Sequence, residues 1–202
     1  MEILKNIIII MNLSISMYTI YYLITGIFAF LKNKKIPEFV DNKKFAIIIP
    51  ARNEEVVIGN LLDSLEKQNY PRDKYNIFVI PNNCNDNTRN IAIEKNANII
   101  ECNIPVKSKG EVLQYVSKNI TRDYDGYIIF DADNVVHPEF LNKMNDALSA
   151  GYNIAQGYRD SKNPNDTWVS NCYAIYQYMQ NSFLNQARMN VGMSAFINGT
   201  GF

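Results

Sequence analysis

Apolar runs of strand length alternate with helix-periodic segments four times from Phe45 onward, and this alternation narrows the fold more than any other feature of the chain. Phe45-Ala46-Ile47-Ile48-Ile49 is continuously apolar and closed by Pro50, the pattern of a parallel strand covered on both faces. Val57, Leu61, Leu62 and Leu65 then recur at helical spacing between Glu55 and Gln68, and Tyr70-Pro71 ends that segment. Tyr75 to Ile80 reads as the second strand, Asn98 to Cys102 as a short third, and Tyr127 to Phe130 as a fourth. The helices between them start near Thr88, with Asp86 as its cap, and at Ser108, where Ser108 and Glu111 have capping-box spacing. His137-Pro138-Glu139 opens another helix, and Ile154 to Tyr158 is a candidate for one further strand. Such alternation predicts an α/β domain with a mainly parallel sheet. Ligands of such sheets bind beyond the carboxyl ends of the strands. Pro50 to Glu54, Pro81 to Asp86 and Asp131 to Asn134 all fall there, so three loops are expected to meet at one crevice.

Asp131-Ala132-Asp133 carries the most chemistry in those loops. Two carboxylates one residue apart at a strand end bring oxygen ligands to a single hard cation. Magnesium takes one or two carboxylates together with substrate phosphates. The pattern points to a nucleotide diphosphate held through a metal; alone, it also fits a strand-end turn with solvated acids. Lys109 at a helix start adds a positive charge to free backbone N–H groups, a setting that favours phosphate. A solvated lysine is the alternative. His137, the only histidine, is nearer in kind to a surface or capping residue than to a metal ligand.

The chain has 202 residues and zero formal charge, with no dense Lys/Arg block, which argues against nucleic-acid binding. Cys84, Cys102 and Cys172 are odd in number and form no C-x-x-C pair, so a zinc site or disulfide framework is not expected, and a reducing compartment is. No charged residue lies between Lys5 and Lys32. About 20 apolar residues suffice to cross a bilayer, so Ile7 to Leu31 reads as a transmembrane helix, with a buried helix of a soluble protein as the alternative. Lysines 32, 34 and 35 follow at once and place the C-terminal side in the cytoplasm and the N-terminus outside. The expected organisation is an anchor with its basic flank over 1–35, a linker over 36–44, and a domain over 45–202 that is incomplete at its C-terminus. Thr167 to Asn190 reads as a long aromatic-rich helix, either core-facing or lying on a membrane surface. Asn198-Gly199-Thr200-Gly201-Phe202 reads as a flexible Gly-rich segment.

Together these residues resemble the family 2 glycosyltransferases, in particular membrane-bound members that make cell-surface polysaccharides. Ile49-Pro50-Ala51-Arg52-Asn53-Glu54-Glu55 resembles the family's opening motif, and Pro81 to Thr88 its second loop. Lys109-Gly110 and Asp131-Ala132-Asp133-Asn134 match the third and fourth motifs. Gln156, Asn163-Pro164 and Gly199-Thr200-Gly201-Phe202 match later landmarks. The resemblance implies a GT-A fold, Rossmann-like with flanking helices, and inverting transfer from a UDP-sugar to a saccharide or lipid-linked acceptor. It implies Mg2+ or Mn2+ as cofactor, with Asp133 as metal ligand and Asp131 on the ribose side of the nucleotide. Ala51, Arg52 and Glu54 would line the uridine pocket; by itself Arg52 also reads as a surface residue paired with an acid. Asn82 stands where many relatives have an acid that accepts a hydrogen bond from uracil. The family's catalytic base belongs to an acidic motif downstream of the Gly-Thr-Gly segment, so the base is expected beyond Phe202 and the chain alone is expected to transfer weakly or not at all. The other readings are a nucleotide-sugar enzyme of the same fold acting on a lipid carrier, and a non-catalytic binding or scaffolding membrane protein.

Overall fold

The computed structural model describes residues 1–31, 35–102, 104–121 and 123–202. The chain divides into two compact units, Met1–Lys35 with Tyr158–Phe196, and Ile36–Gly157 with Ile197–Phe202.

The second unit is built on a four-stranded parallel sheet: β1 (Phe45–Ala51), β2 (Tyr75–Pro81), β3 (Asn98–Ile99) and β4 (Gly126–Ile129), in the order β3-β2-β1-β4. Side chains alternate across a strand, so β1 feeds both faces of the sheet. Phe45, Ile47 and Ile49 join Leu61, Leu62 and Leu65 of α2 (Ile58–Glu66) and Leu141 of α5 (Phe140–Ser149) in one core. Ile48 faces the other way, onto Val112 and Val116 of α4 (Lys109–Asn119). Covering on both faces is why the strand reads as an unbroken apolar run rather than an alternating one. The third strand is shorter than its apolar stretch: pairing stops after Ile99, although the Ile100 N–H still donates to Val79 O at 3.0 Å. Ile154 to Tyr158 forms no strand; there the Gly157 N–H donates to Gly201 O at 2.8 Å. The helix expected over Glu55 to Gln68 starts at Ile58, because the Glu54 carbonyl first closes a turn with the N–H groups of Val57 and Ile58.

Two polar side chains lock the loop after β4. Gln68 donates to His137 O at 2.8 Å and accepts from the Leu141 N–H at 3.1 Å, satisfying an otherwise orphaned donor at the start of α5. Ser64 Oγ accepts from the Val136 N–H at 3.0 Å. Residues of the expected linker are also engaged, with the Phe39 N–H on Asp146 Oδ1 at 3.0 Å and the Lys43 N–H on Asn145 Oδ1 at 2.9 Å.

The other unit contains α1 (Glu2–Ile27), a 3-10 turn over Phe28–Phe30, α6 (Trp168–Met179), a π-helical stretch over Gln180–Gln186, and α7 (Ala187–Asn190). The helix over Glu2–Phe30 is the single span among the described residues long and apolar enough to cross a membrane, and its apolar residues are exposed rather than packed inside the protein. Of the basic flank expected at 32–35, residues 32–34 lie outside the described residues. Asn190 Nδ2 donates to Phe28 O at 2.9 Å, Arg188 to the Tyr21 hydroxyl, and the Phe30 and Phe183 rings meet edge-on at 5.8 Å.

The helix from Trp168 is not core-facing through its aromatics. Gln177, Asn181 and Asn185, four residues apart on one stripe, are its buried side chains, together with Ala187. Trp168, Tyr173, Ile175, Tyr176 and Tyr178 are exposed. The reason lies in the loops this helix holds. Asn181 accepts from the Arg159 N–H at 3.3 Å and donates to Arg159 O at 2.6 Å, and Asn185 accepts from the Phe196 N–H at 2.8 Å. Backbone groups of the loops need polar partners, so the polar stripe turns inward.

Candidate active site at the strand ends

The strand order reverses direction between β1 and β4, and their carboxyl ends open the crevice where ligands of such sheets bind. Ala51 is the last residue of β1 and is buried. Its carbonyl accepts the Asn82 N–H at 2.9 Å, which ties the second loop to the first. Arg52 follows and is exposed. Asn53 takes a left-handed conformation (φ 57°), which asparagine tolerates better than most non-glycine residues, and its side chain accepts the Asn85 N–H at 2.9 Å. The Glu54 N–H donates to Thr88 Oγ1 at 2.8 Å, and the Glu55 N–H to Asp86 Oδ2 at 3.0 Å. Asp86 also takes the Thr88 hydroxyl at 2.6 Å and the Thr88 N–H at 3.1 Å, at the start of α3 (Thr88–Glu94). Those bonds hold its carboxyl below the usual carboxylate range.

Glu54 reports the electrostatics of the crevice. Burial pushes its carboxyl up, and the charges of Asp133, Asp86 and Asp131 push in the same direction. Residues from all three loops therefore act on one another at one place.

Asn82, just after β2, is 7% exposed, and its Oδ1 is buried without a hydrogen-bond partner among the described residues. A buried acceptor left unmade costs about 1–3 kcal/mol, so the atom is set to take a donor.

Lys109 opens α4, capped by Ser108, whose side chain accepts the Glu111 N–H at 3.3 Å. Glu111 reaches back to the Lys107 N–H at 2.7 Å, one residue earlier than an ordinary capping box. The Lys109 ammonium lies 2.5 Å from Asp131 Oδ1 and 2.6 Å from Gly199 O. Asp133 is exposed, and its Oδ1 accepts the Asn134 amide at 3.1 Å. Among the described residues no three His, Cys, Asp or Glu side chains are grouped closely enough to hold a metal by themselves. The donor set, hard carboxylate oxygens next to a phosphate-attracting helix start, fits a magnesium-type ion completed by substrate phosphates. His137 is exposed, and its Nδ1 accepts the Glu139 N–H at 3.2 Å just before α5, a capping contact.

Two landmarks far apart in sequence also meet here. Gln156 donates to Thr200 O at 2.9 Å and to Gly201 O at 3.1 Å, and accepts the Asn198 N–H at 2.8 Å. The Gly-Thr-Gly segment is therefore not a loose tail. Thr200 is 3% exposed, and glycines at φ 73° and 68° shape the turn on either side of it. The two glycines, both at positive φ, allow the tight turn that buries Thr200, so this is a built loop rather than a flexible one.

The chain is 32% identical over 127 residues to the probable glycosyltransferase YdaM of Bacillus subtilis strain 168, covering 56% of this chain and 30% of that protein. It is 25% identical over 139 residues to the glycosyltransferase AglE of Haloferax volcanii, covering 67% of this chain and 45% of that protein. The chain thus spans less than half the length of either relative. Its fold matches that of the mannosyltransferase PcManGT from Pyrobaculum calidifontis, solved in complex with GDP-Man and Mn2+, with a TM-score of 0.57 at 20% identity over 75% of this chain and 45% of that one. With the GT-A-type parallel sheet in place and residues 42–202 matching the family described as glycosyltransferase like family 2, the chain belongs to the family 2 glycosyltransferases.

Proposed function

We propose that this chain supplies the donor-binding half of a membrane-anchored, inverting glycosyltransferase that moves a sugar from a UDP-sugar to a saccharide or lipid-linked acceptor. The observation that carries this reading is the Lys109–Asp131 pair beside the exposed Asp133, at the carboxyl ends of β1 and β4. A diphosphate in that crevice meets the Lys109 ammonium and the first N–H groups of α4. Asp133 holds the divalent cation, Mg2+ or Mn2+, and Asp131 takes the ribose side. When bound, such an ion supplies charge neutralisation at the departing nucleotide diphosphate. Ala51, Arg52 and Glu54 border the uridine, and the unpartnered Asn82 Oδ1 accepts a ring N–H, as a neutral amide oxygen is able to do.

Two features of α1 support anchoring, and the residues after it bear on orientation. Its 26 residues span about 39 Å at 1.5 Å each, more than the roughly 30 Å of a bilayer core. Four of its polar side chains bond within the helix: Asn12 donates to Ile8 O, Ser14 to Ile10 O, Thr19 to Ile15 O and Thr25 to Tyr21 O, at 2.8–2.9 Å. Lipid offers those groups no partner, so internal bonding is what a spanning helix needs. The lysines at 32, 34 and 35 favour a cytoplasmic catalytic unit and an external N-terminus.

Calorimetric titration of the detergent-solubilised chain tests the donor reading. UDP and UDP-sugars are expected to bind more tightly with MnCl2 than without, and Asp133→Asn is expected to abolish that difference while leaving the fold intact. Unchanged manganese-dependent UDP affinity in Asp133→Asn removes the central assignment. GDP binding as tightly as UDP removes the assignment of the base to Asn82.

A further inference from the structure

The Gly-Thr-Gly segment carries a side chain that reaches the metal loop without facing the crevice. Thr200 is buried, and its hydroxyl sits between two groups of the loop after β4. It accepts the Asp131 N–H at 2.8 Å and donates its own proton to Asn134 Oδ1 at 2.5 Å. With Oδ1 of Asn134 committed to that hydroxyl, the amide Nδ2 is turned toward Asp133, whose Oδ1 it reaches at 3.1 Å. Both bonds agree on one orientation of the amide. The neighbouring Gly199 carbonyl holds the Lys109 ammonium at 2.6 Å, so the same segment also fixes the cation that pairs with Asp131. The segment itself is held to the sheet, with the Gly201 N–H on Ile129 O at 2.7 Å and the Ile129 N–H on Phe202 O at 3.0 Å.

We propose that Thr200 is a positioning residue for the donor's metal: acting through the Asn134 amide, its hydroxyl fixes the direction in which the Asp133 carboxylate points. The proposal rests on the assignment of Asp133 as metal ligand. Groups that orient a metal ligand from behind typically matter about 10–100-fold in metal affinity. Removing the hydroxyl frees the Asn134 amide to turn its oxygen toward Asp133. Two acceptors then face each other, and the carboxylate leaves its bound rotamer.

The test measures UDP affinity of the full chain in detergent, with and without MnCl2, for the wild type, Thr200→Val, Thr200→Ser, Asn134→Ala and Asp133→Asn. Thr200→Val is expected to lose about 10-fold of the manganese-dependent gain, more than the loss in metal-free UDP affinity that follows from orphaning the Asp131 N–H. Thr200→Ser, which keeps the hydroxyl, is expected to restore the gain. Asn134→Ala breaks the same relay at its middle, at a half-buried position, and covers the case in which Thr200→Val does not fold. The Thr200→Val/Asn134→Ala double variant is expected to lose no more than the worse single, as members of one chain do. If Asp133→Asn abolishes the manganese effect while Thr200→Val and Asn134→Ala keep it, the positioning role is overturned and the metal assignment stands. If Asp133→Asn keeps the effect, the metal assignment itself falls. Equal losses with and without manganese in Thr200→Val make the hydroxyl a general structural bond and also overturn the proposal.

Discussion

Lys109→Met separates folding from donor binding at one position. Methionine keeps a flexible stem and good helix propensity while removing the charge. In the donor-free protein the ammonium pairs with Asp131 at 2.5 Å, but the two side chains are 36% and 47% exposed. A pair so open to water is worth about 0.2–1 kcal/mol. For a chain of this length the ion pair alone corresponds to a melting shift of roughly 4 °C at most, to which the lost bond to Gly199 O adds a shift of similar size. Binding is another matter. A hydrogen bond from an ammonium to an ionised phosphate contributes about 1.5–3 kcal/mol, or roughly 10–150-fold in Kd. Because the ammonium must be shared with Asp131 and Gly199 O when the diphosphate arrives, the lower end, about 10-fold, is the expected loss. Titration with UDP in the presence of MnCl2, together with a thermal melt of the same sample, reads both quantities. A melting drop well beyond the sum of those two shifts with unchanged UDP affinity would falsify the phosphate role and make Lys109 a structural strut.

Two further outcomes follow from described features. Burial first, then Asp133, Asp86 and Asp131, raise the Glu54 carboxyl, so the folded protein holds that proton to higher pH than the unfolded chain. Glu54 therefore contributes stability below the ordinary glutamate range that is lost as pH rises through its folded value. Glu54→Gln is expected to be more stable than wild type at pH 7 in urea melts without ligand, with the difference vanishing near about pH 4; a less stable variant at pH 7 contradicts this. For α1, membranes carrying the chain are expected to retain it through alkaline carbonate, with a cysteine placed at Lys35 labelled only after the cytoplasmic side is opened; release into the supernatant speaks against a spanning helix.

The sheet was legible because burial on both faces leaves short, β-branched apolar runs bounded by turn residues: Phe45 to Ile49 and Tyr75 to Ile80 are strands β1 and β2 with ends shifted by a residue or two. The capping residue Ser108 was likewise readable, since an N-cap depends on chemistry within one turn. Long-range polar pairing was not. Ile154 to Tyr158 looked like a strand by apolar content, yet its neighbours are the carbonyls of a glycine loop rather than another strand. Nothing local to Thr167–Asn190 states that Asn181 and Asn185 bind the backbone of Arg159 and Phe196, so the direction of its aromatic face was open until those partners were placed. At the candidate site, the residue types of Lys109, Asp131 and Asp133 were readable, while the contact of Lys109 with Gly199 and the relay from Thr200 span 90 and 66–69 residues and leave no periodicity to detect.

The bonds between Gly201, Phe202 and Ile129 have a consequence for how the protein is made. The sheet unit is interrupted in sequence: its last piece, Ile197–Phe202, follows an excursion through Tyr158–Phe196 into the other unit. Gln156 and Thr200, which bond directly, are 44 residues apart. At the usual rate of about 5–20 residues per second, a ribosome finishes the first part of the sheet unit roughly 2–9 s before it delivers the closing segment. During that interval the outer side of β4 is an unpaired edge, and such edges recruit foreign strands. Between the synthesis of Gly157 and that of Gly201 the nascent protein therefore carries an additional open edge at β4.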